Sequence, residues 1–175
     1  MLIRAYSPDD AEATAQLFLD TIREVCKDDY TPGQLRAWVS GCDDLDAWSA
    51  SLLANGALVA EEDGRIVGFG DIDETGYLDR LFVHKDHQGE GIGTALCGAL
   101  EALAPGGVST HASITARPFF EARGYVVVSE NVVARDGERL VNYLMNKIPR
   151  AQYGSAVNEQ IPCLVVEGVT LSGNP

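Results

Sequence analysis

The segment Gln88-Gly89-Glu90-Gly91-Ile92-Gly93 constrains this chain more than any other. It follows the β-prone run Tyr77 to Val83 and precedes a helix-periodic stretch from Thr94 to Leu103. A glycine-rich junction between strand and helix exposes backbone N–H groups at a helix N-terminus, where the helix dipole favours anions. Glycine also lets the backbone approach a phosphate with no Cβ in the way. The junction therefore reads as a phosphate cradle. Two cradles are excluded by spelling. The nucleotide P-loop ends in Gly-Lys-Ser/Thr, and here Gly93 is followed by Thr94 and Ala95. The dinucleotide fingerprint G-x-G-x-x-G would need glycine at 94 or 96, where Thr94 and Leu96 stand.

The rest of the chain gives the context of that junction. Leu2 to Tyr6 reads as a short strand, and Ser7-Pro8-Asp9-Asp10 as a helix start with a Ser cap and Pro at the first position. Ala11, Ala15, Phe18, Ile22 and Val25 then line one helical face. Thr31-Pro32-Gly33-Gln34 repeats the start signal for a second helix through Trp38, and Leu45 to Leu53 reads as a third. Ala57 to Glu62 and Arg65 to Ile72 flank Asp63-Gly64, a strong hairpin turn, and Tyr77 to Val83 continues the meander. After the junction helix come a strand (Val108 to Ala112), a helix (Thr115 to Arg123) stopped by Gly124, and strands Tyr125 to Val133 and Arg139 to Lys147 joined at Asp136-Gly137. Strand, helices, three-strand meander, helix, strand, helix and two strands make a single mixed α/β sheet. That domain spans 1–150. Residues 151–175 read as a C-terminal extension, polar and small except for Ile161 to Val166, which has strand character.

A chain of 175 residues with net charge −13 lacks the basic surface that non-specific nucleic-acid or anionic-membrane binding needs. No apolar run is long enough for a membrane span, and the N-terminus meets charge too early for a signal peptide. The cysteines at 26, 42, 97 and 163 form no C-x-x-C pair and have no histidine cluster beside them, so no metal site is expected. They read as reduced thiols of a cytoplasmic protein, with Cys97 a core residue of its helix.

Gln-x-x-Gly-x-Gly directly after Tyr77-Leu78-Asp79-Arg80-Leu81-Phe82-Val83 resembles the acyl-CoA signature of the GNAT N-acetyltransferase superfamily. The stretch His111 to Tyr125 is similar to the second half of the same family. The resemblance implies an α/β (mixed α+β) fold, with a central mixed, mostly antiparallel sheet flanked by helices, in the order β-α-α-β-β-β-α-β-α-β-β. It implies an acetyl-CoA-dependent N-acetyltransferase in which a primary amine attacks the thioester directly. The backbone of Gln88, Gly89, Glu90, Gly91, Ile92, Gly93 and Thr94 would hold the coenzyme pyrophosphate. Leu81, Phe82 and Val83 would pair with the pantetheine arm as an added strand does. A bulge in that strand, and splaying from the Val108 strand, would open a V for the arm. Ser113, where many members carry an Asn, and Phe119 would also contact the coenzyme. Lys85 and His87 stand near the expected outer phosphate, where solvated surface charge is the plainer reading.

The catalytic groups are less legible. A general acid for the departing thiolate is often a Tyr at the position matching Phe120, which has no hydroxyl, so Tyr143 on the last strand or water is left for that role. A strand Glu serves several members as base where this chain has Tyr77. Asp79 is the favoured base here, with Asp71 and Asp73 next, each having a plain ion-pair or turn alternative. His111, at the end of its strand, reads as packing or hydrogen bonding. The alternative function is a non-catalytic acyl-CoA-binding module, or an interaction module whose tail adds a strand to a partner or to a second copy in a homodimer.

Overall fold

The computed structural model describes residues 1–40 and 42–148. The C-terminal extension and its expected strand Ile161 to Val166 lie outside the described residues. The elements are β1 (Leu2–Ala5), α1 (Ala11–Val25), α2 (Pro32–Val39), α3 (Leu45–Leu53), β2 (Gly56–Glu62), β3 (Arg65–Ile72), β4 (Tyr77–Val83), α4 (Ile92–Leu103), β5 (Val108–Ser113), α5 (Arg117–Ala122), β6 (Val126–Arg135) and β7 (Glu138–Lys147). Two helix starts have a side-chain cap, whereas the expected start at Ser7-Pro8 is a 3-10 turn, Pro8–Asp10, and α1 follows it with no side-chain cap of its own. Thr31 and Gln34 form a reciprocal capping box with Pro32 at the first position, and Asp44 accepts from the Ala47 N–H at 2.9 Å. The Asp-Gly hairpin turns have positive φ at both residues, 51° and 75° at Asp63-Gly64 and 49° and 78° at Asp136-Gly137. This is the twist that two-residue hairpins require.

The strands form one seven-stranded sheet in the order β1-β2-β3-β4-β5-β7-β6. Only β4 and β5 are parallel neighbours; the other pairs are antiparallel. Helices α1, α2 and α3 cover one face, over a core of Phe18, Ile22, Trp48, Leu52 and Phe69. Helices α4 and α5 cover the other, over Leu78, Leu96, Leu100, Ala112, Phe120 and Met145. Helix α4 lies close on β3 because Gly68 and Gly70 have no side chain. A Cβ on Gly70 would come within 2.7 Å of the Arg80 carbonyl and 2.8 Å of Leu100 Cδ1.

Two irregularities set up the site. Between β3 and β4 the register shifts from Asp71↔Arg80 to Ile72↔Leu78, so Asp79 is the extra residue of a β-bulge. Between β4 and β5 only Tyr77↔Ser109 and Leu78↔Thr110 pair, and the strands part beyond them.

Candidate active site

The parted strands form the walls of a cleft of about 730 Å³ that reaches from the paired end of β4 and β5 to the N-terminus of α4. Its size is that of a small-molecule or cofactor site, roughly 300–1,000 Å³. Along β4, hydrogen bonding alternates. The His84 N–H bonds to the Val67 carbonyl, so the register places Phe82 and Arg80 in the bonded positions toward β3. The N–H and C=O groups of Leu81 and Val83 therefore face the cleft, and those of Phe82 do not. The Val83 carbonyl is already engaged by the Thr21 hydroxyl at 3.0 Å and by Gln88 Nε2 at 2.7 Å. What β4 offers as a strand edge is thus the Leu81 N–H and C=O and the Val83 N–H.

At the far end, Gly89 and Gly91 have φ of 78° and 85°, and a Cβ at either would meet nothing within 4 Å. Glycine is there for the left-handed backbone and leaves the approach open. Gly91 caps α4 without a side-chain bond, and the first intrahelical bond runs from the Ala95 N–H to the Gly91 carbonyl. The N–H groups of Ile92, Gly93 and Thr94 are therefore free of the helix ladder, and no acidic residue stands in the first turn. Free N–H groups at a helix start with no competing carboxylate are what binding of an anion requires. Gln88 serves it differently, since its side chain ties the loop to the carbonyls of Val83 and His84. The Glu90 side chain bonds His87 Nδ1 at 2.9 Å and is not among the cleft-lining residues. Lys85 is paired with Asp86 at 2.8 Å. Phe119 lines the cleft opposite Gly93. Ser113 also lines it, but its hydroxyl accepts from the Ala116 N–H at 3.0 Å and so serves the start of α5.

The other half of the cleft lies on the α1–α3 face. Phe18, Tyr30, Trp38 and Trp48 wall it, with Tyr30 and Trp38 edge-to-face at 5.1 Å and Phe18 and Trp48 tilted at 45° with centroids 5.2 Å apart. Asp79 projects here from the bulge. Its side chain is 46 % exposed and lies 3.5 Å from Arg80 Nε. Burial against the cleft walls, only partly offset by Arg80, raises the Asp79 carboxyl above the ordinary aspartate range. The Tyr77 hydroxyl and His111 Nδ1 lie 3.0 Å apart, and both residues line the same cleft.

The remaining sequence candidates are placed elsewhere. Asp71 is fully buried, with Arg80 bidentate on it at 2.8 and 2.9 Å and Asn55 at 2.7 Å. Asp73 accepts from the Thr75 and Tyr77 N–H groups and from the Thr75 hydroxyl, which holds its carboxyl below the usual range. Tyr143, expected as the acid, does not line the cleft. It pairs with Ala112, so strand alternation turns it to the α5 face, where the Arg117 guanidinium lies 4.5 Å over its ring. Sequence reasoning missed the Tyr77–His111 contact, because nothing local indicates that β5 lies parallel to β4 in this register.

Cys97 is fully buried in α4, and its thiol is pushed up to about 11 by burial and by Glu101. It stays protonated at neutral pH and is not a nucleophile. Incubation with acetyl-CoA alone should therefore leave the intact mass unchanged. Cys97→Ala should keep turnover while losing about 1 kcal/mol of stability, as core truncations of this size do. A stoichiometric acetyl adduct that disappears in Cys97→Ala would overturn this.

Comparison with known proteins follows the same lines. The acetyltransferase (GNAT) domain model matches residues 26–147. The uncharacterized N-acetyltransferase YafP of Escherichia coli K12 is 30 % identical over 148 residues, covering 85 % of this chain and 96 % of that one. A GCN5-related N-acetyltransferase from Rhodopseudomonas palustris superposes with a TM-score of 0.81 at 38 % identity, over 84 % of this chain and 94 % of that one. The PaiA N-acetyltransferase of Thermoplasma acidophilum, solved in complex with coenzyme A, shares the fold at a TM-score of 0.65 and 18 % identity, over 84 % of this chain and 98 % of that one. No helix among the described residues is long and apolar enough to cross a membrane. With the parted strands and the glycine-opened α4 terminus in place, the family match over most of the chain is decisive: this chain belongs to the GNAT acetyltransferase family.

Proposed function

We infer that this protein transfers the acetyl group of acetyl-CoA to a primary amine carrying an apolar or aromatic body. The observation that carries this reading is the gap between β4 and β5 opening onto the free N–H groups at the start of α4. Those N–H groups fit a pyrophosphate. From Val83 back to Asp79 the strand edge runs about 13 Å at roughly 3.3 Å per residue, enough for an extended arm to pair with Leu81 and Val83. The thioester would then lie beside the bulge. There the Leu81 N–H is the donor for the carbonyl oxygen as negative charge develops on it.

The acceptor half supports the amine. Aromatic walls suit an apolar body. Among the described residues Asp79 supplies the one carboxylate that lines the cleft, and Asn142 Oδ1 is a buried acceptor with no partner. An alkylammonium ion has a reference pKa of about 10.4 and must lose a proton before its nitrogen can attack. A carboxylate whose proton affinity is raised by the cleft is suited to take it. The test is coenzyme thiol release across a panel of primary amines, aliphatic and aromatic. Release with the arylalkyl members supports the reading, and coenzyme binding without release from any amine overturns it.

Asp79→Asn keeps the shape and removes the charge. It should lower kcat about 100-fold with little change in acetyl-CoA affinity. Its effect on stability has the opposite sign to that of an ordinary paired aspartate. Because folding raises the Asp79 pKa, the folded state prefers the protonated carboxyl, and ionisation above the unfolded pKa of about 3.9 works against folding. At neutral pH the variant should melt no lower than the parent. A kcat within threefold of the parent, or a clear drop in melting temperature, would make Asp79 a structural partner of Arg80 instead.

A further inference from the structure

We propose that Tyr77 and His111 form a proton relay at the paired end of the β4–β5 gap and take the proton that the amine nitrogen loses once it has attacked. This rests on the transferase reading above. The argument starts from a count of protons. An ammonium ion that ends as an amide loses one proton before attack and a second after it, when the new C–N bond leaves the nitrogen positively charged. Asp79 can hold the first. Asp71 and Asp73 cannot serve for the second, because Arg80 and Asn55 occupy one and the turn N–H groups the other. Phe120 offers no polar atom, and Tyr143 is on the wrong face of the sheet.

The geometry fills that place. Leu78 and Ala112 point to the α4–α5 face, so alternation along their strands turns Tyr77 and His111 to the face where the aromatic walls and Asp79 are. The Tyr77 hydroxyl lies 3.0 Å from His111 Nδ1, and the rings meet edge-on at 5.7 Å. With the imidazole proton on Nε2, the hydroxyl donates to Nδ1. Burial and the nearby Asp79 charge raise the Tyr77 hydroxyl above the ordinary tyrosine range, so Tyr77 stays neutral and needs a second group to receive its proton. His111 is exposed and can pass it to water.

The step balances as follows. The nitrogen lone pair forms the C–N bond and the C–S pair leaves on sulfur. The proton on nitrogen passes to Tyr77 Oη as the Tyr77 proton passes to His111 Nδ1. The imidazolium then loses its proton to solvent, and the thiolate takes one from solvent. Tyr77 touches the reacting nitrogen, and His111 acts through it.

The experiment compares the full chain with Tyr77→Phe, His111→Gln and the double variant. It uses the most active amine of the panel, with acetyl-CoA affinity by calorimetry and melting temperature as controls. Each single variant should lose about 100-fold in kcat with KM and acetyl-CoA affinity nearly unchanged. The double variant should be no slower than the worse single one, because the groups act as a unit. Two losses that multiply, a KM rise that accounts for the loss, or either kcat within threefold of the parent overturns the relay. So does a loss of kcat that only follows a fall in melting temperature, and should one variant fail to fold, the other single variant decides on kcat against KM. A parent that releases thiol while the variants match it sinks the relay alone, whereas a parent inactive with every amine sinks the transferase reading.

Discussion

Replacing Asp71 by alanine should destabilise the folded protein by about 3–5 kcal/mol, the usual loss when one partner of a buried ion pair is removed. Asp71 has no exposed side-chain surface, and the Arg80 side chain is 13 % exposed. The pair spans β3 and β4 at the residue next to the bulge, so it also holds the register in which Asp79 protrudes. Arg80 is further fixed by Ser51 at 2.9 Å and by the Trp48 ring at 5.2 Å, and it cannot follow its lost partner into water without giving up both. Urea unfolding with an unchanged slope is the measurement. Replacing both residues by leucine should recover much of the loss, because the stranded guanidinium accounts for most of it. A midpoint shift worth less than 1 kcal/mol for Asp71→Ala, on the order of an exposed pair, would show that water reaches Arg80 and that the pair does not organise the bulge.

The second large effect is expected at the other end of the cleft. Gly91→Glu should weaken acetyl-CoA binding by about 10²–10⁴-fold. Charge-assisted bonds to N–H groups contribute about 1.5–3 kcal/mol each, and two or more are displaced or opposed. A carboxylate at the cap position would bond the Gly93 or Thr94 N–H itself and repel the pyrophosphate. Gly91→Ala separates this from backbone strain. At φ 85° an alanine costs roughly 1–3 kcal/mol of stability but brings no charge. Because a Cβ at that position meets nothing within 4 Å, binding by the alanine variant should fall far less than by the glutamate one. Calorimetry on folded variants decides it. Equal affinities for parent and Gly91→Glu would remove the α4 terminus from the binding site.

The sequence by itself determined the element order, the α2 capping box, both Asp-Gly hairpins and the glycine junction that opens α4. Each of these is written within a few consecutive residues: a capping box, a pair of turn residues, or glycines between a strand and a helix. Extents differ at several ends: α4 begins at Ile92 instead of Thr94, β6 runs on to Arg135, and α5 is shorter than expected at both ends. Thr115 and Ala116 fall outside it, because the Ser113 hydroxyl binds the Ala116 N–H and bends the chain before Arg117 begins the helix.

What only the tertiary structure decided is which side chains share the cleft. Side-chain direction along a strand follows from parity, and parity in β4 is broken by the bulge at Asp79, which changes face relationships on either side of it. Registers between strands distant in the chain decide the rest: the β5–β7 pairing turns Tyr143 away, and the β4–β5 pairing leaves His111 beside Tyr77. Asp71, Asp73 and Asp79 are alike in sequence. The first is neutralised by an arginine nine residues on, the second caps a turn, and the third alone projects into the cleft. Local sequence encodes backbone preference, but the partner that satisfies or frees a carboxylate is chosen by the packing of the whole sheet.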